Sequence, residues 1–164
     1  MVFADPAADT AQDAALAQAV GRAVAAGIPV VLASSREKVD SASATLWTEV
    51  LPLQTLRDAG AQHGDAGVAP DDDFVVPRMP PSAGRFAATL AQHLGVRPAP
   101  APSADADRLV AYRGPRGSFD TRSYYQALEP GLLPAGYFRG KVVLVGRSAL
   151  TASELQHSQA DLFN

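Results

Sequence analysis

The amino-acid sequence predicts an α/β domain, a mixed and largely buried sheet with flanking helices. Two apolar runs predict the strands. Lys141 to Val145, KVVLV, lies between Gly140 and Gly146, and Ile28 to Ala33, IPVVLA, is of the same kind. Short runs rich in β-branched residues and closed by glycine mark strands buried on both faces, inside sheets that helices cover. Two helical stripes supply the cover, one on Leu16, Val20 and Val24 and one on Phe86, Leu90 and Leu94. Helices alternating with buried strands form a two- or three-layer α/β domain.

The chain of 164 residues is long enough for one core and short for two. Its hydrophobic share of 47% and charged share of 19% belong to a folded protein, not a disordered one. A net charge of -3 without any basic run argues against nucleic acid as a partner. Cysteine is absent, which excludes disulfides and thiolate metal sites. No apolar run approaches the ~18 residues of a membrane span. Met1 to Thr10 has neither the basic nor the apolar region of a signal peptide, so the chain read alone is expected to be soluble.

In order along the chain, Val2-Phe3 reads as the end of a strand, stopped by Asp5-Pro6. A helix is predicted from Thr10 to Ala26, with Thr10 and Asp13 as a capping box and Gly27 as its C′ residue. The strand Ile28 to Ala33 follows, and the polar stretch Ser34 to Ser43 reads as a loop. Thr45 to Leu51 fits either a strand or an extended loop. Leu53 to Ala61 reads as a short helix with Leu53 and Leu56 inward. His63 to Val68 and Phe74 to Met79 are expected to pair as a hairpin around the turn formers Ala69 to Asp73. A helix from Ser82 to Leu94 ends at Gly95, and Arg97 to Ala106 is a Pro- and Ala-rich connector. Arg108 to Tyr112 reads as a strand, Thr121 to Leu128 as a helix, and Lys141 to Val145 as the central strand.

Few residues suggest chemistry. Asp71 and Asp73 are weak candidates for a divalent cation, but they lack the alternating ligands of a calcium loop and read more simply as a solvated turn. His63, His93 and His157 have no metal-site spacing. Gly136 to Lys141 fails as a phosphate loop on spacing and on its position before a strand. Neither Ser118 nor Ser148 stands in a nucleophile elbow, so no catalytic residue is assigned and no cofactor is expected. Arg78, Arg113, Ser123 and Tyr124 are the polar residues that packing explains least. An arginine at a strand end pairs with a neighbouring carboxylate such as Asp73, or grips an anionic ligand.

Tyr112-Arg113-Gly114-Pro115, Gly117-Ser118-Phe119, Ser123-Tyr124 and Phe138 to Gly146, in that order, resemble the C-terminal half of the CHASE type 2 sensor family. Val2 to Pro6, Asp13 to Leu16, Pro70 to Asp73 with Val75, Val76 and Arg78, and Pro81-Ser82 extend the resemblance over nearly the whole chain. Phe74 departs from the glycine usual after the family's acidic turn. The resemblance implies a non-catalytic input domain on the extracytoplasmic (periplasmic or extracellular) face of a bacterial membrane receptor. Its output would be a nucleotide cyclase (adenylate cyclase), a histidine kinase or a serine/threonine kinase. It implies further that residues 1–164 are a single sensor domain lacking the family's first strand and helix and its closing helix, with the membrane anchors outside this chain. An unknown small-molecule ligand and self-association are the expected partners. The alternatives are a small-molecule-processing α/β enzyme using the sheet mouth near Gly146, and a ligand-free dimerisation module. A dimer is expected to form edge to edge or by crossing over of the tail after Leu150.

Overall fold

The computed structural model describes residues 2–40, 45–68, 76, 78–79, 84–96, 108–114 and 118–146. The chain divides into two compact units, Met1–Ala69 with Arg78–Leu109, and Pro70–Pro77 with Val110–Asn164.

The first unit is built on a mixed sheet with flanking helices, as the sequence predicts. Helix α1, Thr10–Ala25, starts one residue earlier in its cap than expected. Asp9 is the N-cap, accepting from the Ala11 N–H at 2.9 Å. Asp13 instead reaches back to the Ala7 N–H at 3.0 Å, so the Thr10–Asp13 capping box does not form. Gly27 closes the helix at φ +76 as predicted. Its N–H bonds the Val24 carbonyl and that of Ile28 bonds Ala23, both at 2.9 Å, the paired bonds of a Schellman ending.

Strand β1, Val31–Asp40, begins later and runs much further than the apolar run Ile28 to Ala33. Its first four residues pair parallel with β3, Gln62–Asp65, and its second half pairs antiparallel with β2, Thr45–Val50, giving the order β2-β1-β3. The polar stretch after Ser34 is therefore strand, not loop. A two-stranded ribbon with water on both faces needs cross-strand hydrogen bonds and no apolar alternation, so the sequence carries no period-two signal there. The same exposure limits the sheet's burial: β2 is exposed at its first five positions and β1 from Arg36 to Val39.

The core sits under the parallel part of the sheet. Val20 of α1, Leu56 of helix α2 (Gln54–Asp58) and Ala61 are buried, and Phe3, Ala17, Val30, Leu32, Leu53 and Ala59 close around them. Phe3 joins this core from an irregular segment, its carbonyl accepting the Leu53 N–H at 2.7 Å, so Val2-Phe3 is not a strand. Helix α3, Phe86–His93, is shorter than predicted and packs on β3. Contact is closest at Gly64, where an added Cβ would lie 2.6 Å from the Phe86 Cα and N. Only glycine lets the helix start there. Gly95, at φ +67, ends α3 with a second Schellman pair. Strand β4, Arg78–Met79, pairs antiparallel with β5, Arg108–Leu109. Among the described residues β3 pairs with β1 and, through Asp65, makes one parallel bridge to Arg85; the hairpin expected from His63 to Met79 falls largely on residues 69–75 and 77, outside the described set, as does the tail from 147.

The second unit contains helix α4, Tyr124–Leu128, followed by successive turns with positive φ at Gly131, Gly136 and Gly140. Residues 141–146 form no regular element and pair with no strand among the described residues. Val142, Val143, Leu144 and Val145 are all exposed, Leu144 at 71%. The central-strand reading of this run is thereby corrected. Valine content states how well a segment tolerates burial; pairing needs a second strand edge at the right distance, which lies elsewhere in the sequence.

Candidate functional site

Packing in the second unit starts from the N-terminus of α4. Ser123 is its N-cap, and the Ser123 N–H donates to Oε1 of Gln126 at 3.0 Å, the return half of a capping box. The helix lasts little more than one turn because Glu129, at ψ 120, leaves helical geometry before Pro130. The turns after it bring Tyr137 and Phe138 back beside the helix end. Between them lies a depression of about 320 Å³, walled by Leu128, Glu129, Pro130, Leu133, Tyr137 and Phe138 among others.

Tyr137 is held there by polar groups from two directions. Its hydroxyl donates to the Asp120 carboxylate, whose other oxygen pairs with Arg122 Nη2 at 2.9 Å. The Lys141 ammonium stands 3.9 Å from the ring centroid and the Arg122 guanidinium 5.7 Å, both within reach of the ring's negative face. Phe138 meets Tyr137 edge to face, with centroids 5.1 Å apart. The Tyr137 hydrogen bond, helped by Arg122 and Lys141, holds Asp120 below the ordinary carboxylate range. The same bond raises the Tyr137 hydroxyl above the usual phenol value. All this happens in solvent, where screening weakens each charge–charge contact. The arrangement orients an aromatic wall beside the depression.

The predicted site residues fall differently. Ser123 is occupied in capping α4, and Tyr124 opens that helix with an exposed ring. Arg113 is exposed and precedes Gly114, where φ is +138. Its neighbour Tyr112 donates to the Val76 carbonyl at 2.8 Å, which ties residue 112 to the segment entering this unit. Arg78 is exposed in β4 and belongs to the first unit, so the four candidates are not gathered within one unit. Asp71 and Asp73 lie outside the described residues. Among the described residues no group of three metal-ligating side chains is placed to hold an ion.

Sequence reasoning passed over the Asp120–Arg122–Tyr137–Lys141 cluster. Only the Asp120–Arg122 spacing was available as a signal; Tyr137 is 17 residues from its acceptor. It likewise missed the ion pair between Arg85 and Asp65, in which Arg85 also donates to the Gly67 carbonyl and clips the start of α3 to the end of β3.

The family model described as the CHASE2 domain matches residues 1–160. No curated protein and no solved structure matches the chain. Among the described residues no helix is long and apolar enough to cross a membrane.

Proposed function

Since the chain belongs to the CHASE2 domain family, a family of sensory domains, we propose that it is the non-catalytic input domain of a bacterial membrane receptor. The family match over residues 1–160 carries this reading. On it, the domain faces the outside of the cytoplasmic membrane, anchored by segments outside residues 1–164. A ligand or stress shifts its population between two arrangements, and that shift biases a cytoplasmic cyclase or kinase. The enzyme alternative called for a sheet mouth near Gly146, and among the described residues 141–146 pair with no strand, which favours the sensor reading.

The ligand, on this proposal, is a small molecule. Two locations are open to it within the second unit: the depression beside Tyr137, and an anion-binding patch on Arg113, Ser123 and Tyr124; Arg78, in the first unit, is a candidate of its own. A thermal-shift screen of small carboxylates, phosphates and amines on the chain separates them. A hit abolished by Arg113→Ala but kept by Tyr137→Ala assigns the anion-binding patch, and the reverse pattern assigns the depression. Topology reporters fused to the full-length receptor then test the sensor reading itself. Cytoplasmic reporter activity at this domain would overturn it.

A further inference from the structure

Neither the family nor the Tyr137 cluster accounts for the outer edge of β2. From Arg36 to Val39 and from Thr45 to Glu49 every side chain is exposed, so β1 and β2 form a ribbon with water on both faces. Trp47, the chain's single tryptophan, is 64% exposed, and Leu46 is 60% exposed. β2 is an edge strand of the three. Soluble proteins guard such edges with lysine, proline, a bulge or shortness. β2, TLWTEV, pairs with β1 over six uninterrupted register positions and carries one charge, no lysine and no proline. Among the described residues no strand covers its outer edge, which is a template for another strand.

We propose that the occupant is a second copy of this chain, pairing antiparallel through β2 about a two-fold axis at Thr48. A two-fold axis normal to a sheet keeps each residue on its own face, so an antiparallel self-pair opposes residues of equal parity. Centred on Thr48, Leu46 faces the partner's Val50 and Trp47 faces the partner's Glu49. Val39 already pairs with Leu46, so one face gains an apolar row of Val39, Leu46 and the partner's Val50. On the other face Lys38 pairs with Trp47 and Arg36 with Glu49. The row there becomes Lys38, Trp47, the partner's Glu49 and the partner's Arg36, with no like charges directly opposed. Centring on Trp47 would set Leu46 against threonine and lose the apolar row. Self-complementarity of shape and charge thus selects the copy and the register together. The pairing stands on β2 alone and does not depend on the sensor reading.

The absence of cysteine makes the register testable. Directly opposed antiparallel residues have Cα atoms ~4.5–5.5 Å apart, within disulfide range. Under mild oxidation, Thr48→Cys is expected to cross-link to itself. A mixture of Leu46→Cys and Val50→Cys is expected to form the mixed dimer, and Gln92→Cys, on the exposed side of α3, to stay single. In sedimentation, the unmodified chain is expected to dimerise with rising concentration. Leu46→Lys, which supplies the missing guard twice per dimer, is expected to weaken association on the order of tenfold, with an unchanged circular dichroism spectrum. A chain that stays monomeric at high micromolar concentration overturns the proposal. So does a Thr48→Cys variant that cross-links no faster than Gln92→Cys, which would place any dimer contact elsewhere.

Discussion

Leu56 and Leu144 are both leucines in predicted apolar elements, yet the structure assigns them opposite weights. Leu56 is 0% exposed at the centre of the cluster formed by Val20 and Ala61, whereas Leu144 is 71% exposed. Leu56→Ala removes the equivalent of about three buried CH₂ groups, a transfer loss of ~2.4 kcal/mol at ~0.8 kcal/mol each. A cavity contribution is added, but the fully buried core is small and its half-buried rim can settle inward. The total is expected at ~2.5–3.5 kcal/mol, in the lower part of the range for such truncations. Leu144→Ala should cost less than ~0.5 kcal/mol, the ordinary value for a surface change. Urea titration followed by far-ultraviolet circular dichroism reads both. With a slope of ~1–3 kcal/mol/M, Leu56→Ala should lower the midpoint by about 1–3 M while Leu144→Ala barely moves it. All variants are compared at one protein concentration, because self-association adds stability by mass action. A loss above ~2 kcal/mol for Leu144→Ala would show that the 141–146 run is packed after all and refute the exposed assignment.

Gly64→Ala pushes a methyl group into the backbone of Phe86. It should cost ~1–3 kcal/mol as α3 is displaced, and a neutral result in the same titration would separate α3 from β3. Ser34 is fully buried and its hydroxyl has no hydrogen-bond partner among the described residues. Ser34→Ala should therefore leave stability unchanged or raise it by ~1 kcal/mol; a marked loss would reveal a partner for that oxygen. Tyr137→Phe removes the donor to Asp120. A phenol that titrates above its usual value of 10.0 should vanish from the alkaline absorbance titration, and the Asp120 carboxyl resonance should titrate higher than in the unmodified chain. The sign follows from the shifts. Asp120 is depressed, so its contribution is present above its ordinary value of 3.8 and lost as pH falls through the lower folded value. Tyr137 is raised, so its contribution is present below 10.0 and lost as pH rises through the higher folded value. Unchanged titrations in Tyr137→Phe would dissolve the pair.

The sequence by itself determined what is encoded locally. The stripe through Val20 and the one through Phe86 and Leu90 place α1 and α3, because a helix needs only its own periodicity and an apolar surface to meet. Gly27 and Gly95 end them because a left-handed residue at C′ is a one-residue requirement. The family was legible as well, since its motifs are an order along the chain and need no contacts to be seen. The tertiary structure decided whatever depends on partners distant in sequence. Polar SSREKVD becomes strand because Thr45 to Val50 returns beside it and supplies the hydrogen bonds. Asp65 finds Arg85, and Asp120 finds Tyr137, over separations at which no spacing rule operates. The valines of 142–145 look like a core strand in isolation, but the described structure brings them no edge to pair with. Apolar composition measures how much a segment gains from burial, while its actual burial depends on what the rest of the chain places against it.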